Sequence, residues 1–458
     1  MLYSFLKLLM QVTVRVFFRS VAIRNKNLIP EKGPLLVLAN HPSTFMDPIV
    51  LATILNRKVY FLGKGELFKS KLAKVILPKL NIIPVYRKQD DPSQMSKNEE
   101  TFIKCFEHLE NNGAILMFPE GVSFTERKLR PIKTGAARIV LGAEARNDFK
   151  LGVHIVNIGL NYADPHRFNR DLFINIHKPI NVGVYKEVFL NDSFEGAKKL
   201  TADITKQLEN LIIAFEDEQT DDLVRDIETL YKPLLSEERG LTPNEKGAEF
   251  MISKNIIESV NHFKIHDPDR VSKMHERLKS YFATLTELGL EDADIAEKTN
   301  NKSILIGVIK AILITITGLP IYIYGLINNI LPFEIPAYLA SKISKQKEFR
   351  GAIGMVGGMF TFLIFYTAQI TLFWKFTHEQ WYTIAYGLSL PLSGLFAYWY
   401  YYVLKYYYTK WKLILLFHKK SVQISGLITE RQQIIAEFDK SKNEYQQLVD
   451  SKKLHLNT

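Results

Sequence analysis

Cysteine is almost absent from this sequence: Cys105 is the only one among 458 residues. A single cysteine cannot form an internal disulfide, and it excludes a metal site built from several thiolates. We therefore expect the first half of the chain to work in a reducing compartment. Cys105 lies in TFIKCFEHLE, a stretch with helical spacing, where a packed core thiol is expected rather than a nucleophile.

Two motifs of covalent and nucleotide chemistry are also missing. The sequence has no Gly-x-Ser-x-Gly turn of the kind that exposes a nucleophilic serine, and its Gly-Lys-Gly at residues 63–65 lacks the spacing of a P-loop. No small-residue cleavage site follows the apolar first residues, so no signal peptide is predicted. We therefore expect no covalent enzyme intermediate, no bound metal and no other cofactor.

Positive charge is in excess, with 59 Lys and Arg against 48 Asp and Glu and a net charge of +11. Such a balance fits an anionic membrane surface, a phosphorylated substrate or nucleic acid. The basic residues are spread along the chain without a nucleic-acid-binding motif, so nucleic acid is not an expected partner.

Apolar residues are concentrated in the last third of the chain. Three apolar segments, 303–332, 351–376 and 383–408, are long enough to cross a bilayer, and all four tryptophans lie in the last quarter. At the other end, polar residues recur every fourth position over residues 1–22. This pattern predicts a helix in the membrane interface or, as an alternative, an amphipathic helix packed on the soluble body.

Between residues 34 and 185, short apolar runs alternate with stretches of helical spacing. The alternation predicts an α/β fold, a mixed sheet flanked by helices whose loops at one edge build a site. The predicted strands are 34–39, 59–63, 82–86, 114–118, 153–160 and 172–176, and the predicted helices are 48–55, 66–79, 96–112 and 134–147.

The stretch PLLVLANHPSTFMDPIVLATIL contains the most informative corner of the chain. An apolar strand ends at Ala39 and an apolar helix begins at Pro48, so His41 and Asp47 lie at the two ends of one turn. Histidine takes a proton from a hydroxyl near neutral pH, and a carboxylate orients the ring and stabilises its charged form. As an alternative, Asp47 is an N-cap before Pro48 and His41 is a hydrogen-bonded turn residue.

The string NHPSTFMDP resembles the first signature of the glycerolipid acyltransferase family, which includes the 1-acylglycerol-phosphate and glycerol-3-phosphate acyltransferases. Most members leave four residues between the histidine and the aspartate. This chain leaves five, as does the glycerol-3-phosphate and dihydroxyacetone-phosphate acyltransferase branch. The resemblance implies that His41 is the general base and that Asp47 is its partner.

Two further stretches resemble the next signatures of the family, in the expected order. In NIIPVYRKQD a predicted strand ends with Arg87, where the family places an arginine that contacts the acceptor's phosphate. FPEGVSFTERKLRPIKTGAA supplies Glu120 and Gly121 directly after a strand. Most members continue with Thr-Arg-Ser, whereas this chain has Ser123 and no arginine there, with Lys133 among the basic residues downstream that are candidate phosphate ligands.

VHIVNIGLNYADPHRF resembles the last signature, and its GLNY and HRF elements are similar to the glycerol-3-phosphate branch. By this resemblance His166 and Arg167 lie near the phosphate, and Lys64 matches a further family lysine. The four signatures cover residues 34–177 only. The substrate-binding residues that the resemblance implies are thus Lys64, Arg87, Glu120, Gly121, Ser123, Lys133, His166 and Arg167.

We predict five regions: an interfacial helix (1–22), an acyltransferase domain (23–185), a helical extension (186–300), transmembrane or re-entrant helices (301–412) and a polar helical tail (413–458). Basic residues flanking the apolar segments indicate a multi-pass protein with a cytoplasmic catalytic domain. The first apolar segment must then return to the cytoplasm, so a break at Gly318–Pro320 is predicted; a single span with an external catalytic domain is the competing topology.

The predicted function is transfer of a fatty acyl group from acyl-CoA or acyl-carrier protein to glycerol 3-phosphate or a related acceptor. Lysophosphatidate is the alternative acceptor. A different class, a non-catalytic lipid-binding or scaffold protein on an acyltransferase fold, stays open because the motif arginine is missing. Expected partners are membrane lipids, the thioester and the acceptor, and the sequence does not fix an oligomeric state.

Overall fold

The computed structural model describes residues 2–86, 96, 98–215, 217–242, 245–296, 301–419 and 421–456. The chain divides into two compact units. The first consists of Met1–Phe215 with Pro336–Met359, and the second of Glu216–Ile335 with Phe360–Thr458. We call them the sheet unit and the helical unit.

The sheet unit is built on one mixed sheet with the strand order β1-β7-β6-β2-β5-β3-β4, and β8 pairs with β6. Pairs of β6 with β7 and with β8 are antiparallel, and the other pairs are parallel. The strands are β1 (Phe18–Arg24), β2 (Leu35–Ala39), β3 (Val59–Lys64), β4 (Ile82–Val85), β5 (Ala114–Met117), β6 (His154–Tyr162), β7 (Arg170–Ile176) and β8 (Ile180–Asn181).

Strand β2 is the centre of this sheet and every one of its residues is buried. It pairs in parallel with β5 on one side and β6 on the other. A continuous apolar run is typical of a strand that is covered on both faces. Because β2, β5 and β3 run in parallel, their carboxyl ends meet at one edge, where ligand sites of α/β sheets form.

Helices cover both faces of the sheet. One core contains Leu35 and Val37 with side chains of the first two helices, and the other contains Leu36 and Leu38 with side chains of the fourth, fifth and seventh. The helices are α1 (Leu2–Phe17), α2 (Met46–Ile54), α3 (Lys71–Lys79), α4 (Asn98–Glu110), α5 (Gly135–Arg146), α6 (Lys186–Asn191) and α7 (Ser193–Leu211). The predicted mixed sheet flanked by helices is confirmed.

The amino-terminal helix is shorter than the predicted 1–22. It ends at Phe17, and residues 18–24 form β1, which pairs in parallel with β7. Pairing with β7 outweighs the local helical pattern here. A side-chain contact adds to this pairing: the Asp171 carboxylate accepts a hydrogen bond from the Ser20 hydroxyl at 2.7 Å. The helix buries Val14 but exposes a stripe that includes Phe5, Leu8 and Val12.

The helical unit contains long helices, and two of them continue into the sheet unit. Residues 336–343 of α12 and 347–359 of α13 belong to the sheet unit, and the remainder of both helices to the helical unit. The helices are α8 (Glu218–Glu238), α9 (Lys246–His266), α10 (Pro268–Leu288), α11 (Asp292–Ala296), α12 (Asn301–Ile343), α13 (Lys347–Thr377), α14 (Gln380–Lys419) and α15 (Ser421–Leu456).

Two helices of the described residues, Leu313–Ile343 and Lys347–Thr377, are long and apolar enough to cross a membrane. The predicted break at Gly318–Pro320 is wrong, because α12 continues through it. Side chains compensate for two of its prolines. Pro332 and Pro336 have no N–H, and the carbonyls that this leaves free, of Asn328 and Pro332, accept hydrogen bonds from Gln369 Nε2 at 3.0 Å and Thr361 Oγ1 at 2.8 Å.

Candidate active site

The turn between β2 and α2 brings the predicted base and acid together. His41 Nδ1 lies 2.8 Å from Asp47 Oδ2, and the Asp47 side chain is fully buried. Asp47 lies in the first turn of α2, whereas Phe45 is the residue that caps the helix, without a side-chain hydrogen bond. The alternative in which Asp47 is the helix cap is therefore wrong.

The Asp47 carboxylate is held by two further donors. The Ser43 backbone N–H donates to Oδ2 at 2.8 Å, and the Tyr162 hydroxyl donates to Oδ1 at 2.8 Å. Burial, and then the charge of Asp47, raise the pKa of Tyr162 well above its usual value, so this residue is a neutral donor. A buried carboxylate needs such partners, and here they fix the oxygen that faces the imidazole.

The His41 ring is fixed from a second side. It stacks on Phe118, with ring centroids 3.9 Å apart and the planes within 8° of parallel. Its side chain is 18% exposed. Because Nδ1 faces the carboxylate, Nε2 is the nitrogen that remains to accept a proton from a bound hydroxyl.

Glu120 joins the carboxyl ends of β2 and β5. Its Oε1 accepts from the His41 backbone N–H at 2.9 Å and its Oε2 from the Arg130 backbone N–H at 3.1 Å. Burial raises the pKa of this carboxyl, and the two backbone hydrogen bonds act in the opposite direction. Both of its oxygens thus contact the backbone of the turns that carry the site.

Gly121, Ser123 and Lys133 lie in the same turn region. Gly121 has a positive φ of 72°, and a Cβ there would lie 2.9 Å from the Lys133 amine, so this lysine packs over the glycine. Ser123 Oγ accepts a hydrogen bond from the Thr44 backbone N–H at 2.8 Å. Ser123 therefore helps to hold the His41 turn.

Three of the remaining predicted residues, Lys64, His166 and Arg167, lie in the described part of the chain. Lys64 ends β3 and forms an ion pair with Glu66. His166 Nε2 lies 3.2 Å from Thr125 Oγ1, and Arg167 forms an ion pair with Asp164 at 3.4 Å. Arg87 lies outside the described residues.

Sequence reasoning missed several residues that shape the site. Asn40 ties the turn to β6 by two hydrogen bonds with the Leu160 backbone, at 3.0 and 2.7 Å. Asn40, Phe118 and Tyr162 all lie inside the four stretches that resemble the family signatures, but only neighbouring residues were predicted to belong to the site. The approach of α13 to the turn has no local signal of any kind: Thr44 Oγ1 donates to the Glu348 carbonyl at 3.0 Å across 304 positions.

Comparison with known proteins agrees with this geometry. The family model described as Acyltransferase matches residues 20–161. Residues 20–161 are an acyltransferase domain. The domain contains His41, Asp47 and Glu120, together with the part of β6 that pairs with β2.

Relatives of the acyltransferase domain include two proteins of Saccharomyces cerevisiae. Glycerol-3-phosphate O-acyltransferase 2 is 29% identical over 206 residues, which are 45% of this chain and 26% of the relative. Glycerol-3-phosphate O-acyltransferase 1 is 23% identical over 433 residues, which are 76% of this chain and 56% of the relative. A chloroplastic 1-acyl-sn-glycerol-3-phosphate acyltransferase of Brassica napus is 25% identical over 182 residues, 38% of this chain and 48% of the relative. The chain thus spans about half or less of the length of each of these relatives.

Metal ligands do not cluster in the described part of the chain, where no group of three or more His, Cys, Asp and Glu residues could hold an ion. His262 and His266 of α9 stack with ring centroids 4.1 Å apart, and His266 Nδ1 contacts the His262 carbonyl at 2.8 Å. These two rings form a packed pair.

Proposed function

We propose that this protein transfers a fatty acyl group from acyl-CoA or acyl-carrier protein to a hydroxyl of glycerol 3-phosphate or a related glycerol-phosphate acceptor. The observation that carries the proposal is the His41–Asp47 pair at the carboxyl edge of the sheet. The names of the yeast relatives support the choice of acceptor.

The reaction needs one proton acceptor and one activated carbonyl. His41 Nε2 removes the proton from the acceptor hydroxyl as its oxygen attacks the thioester carbon, and Asp47 stabilises the imidazolium. The new C–O bond forms, the C–S bond breaks, and the thiolate takes the proton back from His41. The thioester supplies the reactivity, so no acyl-enzyme is required.

Basic residues at the same edge are proposed to bind the acceptor's phosphate. Lys133 lies over Gly121, and His166 contacts Thr125 in the loop that follows. Lys64, Arg87 and Arg167 are assigned the same role from their positions in the sequence signatures. We assign Glu120 to positioning, because its oxygens contact the backbone N–H groups of two turns.

Removal of the base tests the mechanism. His41→Ala should lower the rate with acyl-CoA and glycerol 3-phosphate by ~10²–10⁴-fold, the usual range for general-base help. His177→Ala is a matched control, since this half-buried histidine follows β7 and contacts a neighbouring carbonyl. A His41→Ala enzyme with the wild-type rate would refute the mechanism. Wild-type protein without any turnover would instead favour the non-catalytic class.

Lysophosphatidate is the second candidate acceptor, supported by the similarity to the Brassica napus enzyme. Purified protein in lipid nanodiscs should be assayed with both acceptors at equal concentration. The proposal expects a higher kcat/KM for glycerol 3-phosphate, and the reverse order would assign the activity to the second acylation step.

We place the protein in the membrane as a multi-pass protein, with the sheet unit on the cytoplasmic side. Two apolar helices support the membrane, and the basic connection between α12 and α13 supports the orientation. Lys345→Cys puts an exposed thiol in that connection, while Cys105 is buried. An impermeant maleimide should label it only in permeabilised cells, and labelling in intact cells would reverse the orientation.

A further inference from the structure

The first turn of α13 lies directly against the catalytic turn of the sheet unit. Thr44 Oγ1 donates to the Glu348 carbonyl at 3.0 Å. The rings of Phe45 and Phe349 meet edge to face, with centroids 5.6 Å apart. Residues 348 and 349 therefore contact the segment that connects His41 to Asp47.

The next turn of α13 contacts a second wall of the site. Gly351 approaches the chain so closely that a Cβ would collide with the Pro165 carbonyl oxygen. Pro165 precedes His166 in the sequence. In the sequence, Arg350 lies between Phe349, which contacts the catalytic turn, and Gly351, which contacts the loop before His166.

Buried polar atoms without a partner occur on both sides of this contact. Arg350 Nε, His166 Nδ1 and Arg130 Nε are buried and make no hydrogen bond with any described residue. The Arg130 guanidinium also stacks on Phe124, whose N–H donates to the His41 carbonyl at 3.2 Å, so it too belongs to the site. Buried donors are nearly always satisfied in folded proteins, so these unpaired atoms are candidates for binding a ligand or an ordered water.

Charged groups of both signs act on His166. Burial lowers the pKa of His166, and Arg350 and Lys347 lower it further, while Asp164 and Glu348 raise it. His166 Nδ1 is the ring nitrogen without a partner, and it is a donor in the tautomer in which Nε2 accepts from Thr125. The ring and the guanidinium then both present donors.

We propose that Arg350 of α13, together with His166 and Arg130, binds the phosphate of the acceptor. A guanidinium is suited to this ligand, because its fork matches two phosphate oxygens. Position 123, where most of the family has an arginine, carries serine, so that position supplies no guanidinium. The inference rests on the proposed function and adds a residue from a helix that continues into an apolar segment.

Kinetics on the full chain in nanodiscs tests the assignment. Arg350→Met keeps the apolar stem of the side chain and removes its donors. We expect KM for glycerol 3-phosphate to rise about 10- to 100-fold, the usual effect of losing a hydrogen bond to a charged group. KM for acyl-CoA should stay near wild type, and Arg350→Lys should recover part of the loss. Lys345→Ala removes an equal charge from the exposed connection before α13 and should leave both constants unchanged.

A purely structural role for Arg350 predicts a different result, in which kcat falls and both KM values change together. That pattern, or a wild-type KM for glycerol 3-phosphate in Arg350→Met, would overturn the inference while leaving the proposed function intact. Calorimetric titration with glycerol 3-phosphate alone separates the two ideas. Binding that depends on Arg350 in a protein without turnover would support the subsite and refute the proposed function.

Discussion

The two halves of α13 differ in their surroundings. Gly351, Ala352 and Met355 are buried in the sheet unit, where Ala352 and Met355 join the core that contains β2 and α2. In the helical unit, Phe360, Leu363 and Phe376 of the same helix are at least half exposed. Large exposed apolar surfaces mark contacts with lipid or protein. An apolar run therefore shows that a segment avoids water, but not whether protein or lipid covers it.

The largest expected effect is at Gly351. Gly351→Leu places a side chain where even a Cβ collides with the Pro165 carbonyl, so we expect loss of activity and of the folded sheet unit. Gly354 of the same helix has nothing within 4 Å of an added Cβ. Gly354→Ala should therefore keep full activity and gain up to about 1 kcal/mol from helix propensity. Activity and thermal unfolding in nanodiscs measure both, and equal behaviour of the two variants would contradict the contact.

Met355 provides the next test of the comparison. Met355→Ala removes a buried side chain from the core and should lower the free energy of unfolding by about 2–5 kcal/mol. Leu363→Ala removes an exposed side chain two turns later and should have little effect on the same measurement. The difference should appear as a shift of the thermal unfolding midpoint. A larger loss for Leu363→Ala would show that the second half of α13 is the one packed on protein.

The smallest expected effect concerns the exposed half. Thr361→Val keeps the shape of the side chain but removes the donor to the Pro332 carbonyl. This carbonyl receives no hydrogen bond within the helix, because Pro336, four residues later, has no N–H. We expect a loss of about 0.5–1.5 kcal/mol, the usual net value of one hydrogen bond. Thr377→Val is the control, because its hydroxyl bonds a carbonyl in its own helix. Equal midpoints for the two variants would mean that the free carbonyl has another donor.

Much of the sheet unit could be predicted from local sequence. The alternation of apolar runs predicts strands β2 to β7 and helices α2 to α5, because the spacing of apolar residues within each segment distinguishes a strand from a helix. The same locality allowed His41 and Asp47 to be paired, since only a turn separates them. Strand β1 was misread, because its pairing with β7 depends on residues more than 150 positions away.

The site itself was predicted only in part, for the same physical reason. The donor from Tyr162 to Asp47 and the carbonyl of Glu348 at Thr44 depend on how the sheet and α13 pack. Next to Gly318–Pro320, α12 also has a long-range contact, in which the Tyr400 hydroxyl donates to the Thr315 carbonyl at 2.7 Å. The spacing of residues along the sequence does not predict such contacts.

Residues 336–359 are synthesised more than a hundred positions after the last strand, yet they finish the core around β2. During translation, the core of the sheet unit therefore stays incomplete until the ribosome has released residues 336–359. A fragment that stops at residue 215 lacks part of its own interior, so we expect the sheet unit to fold by itself only when that segment is supplied again.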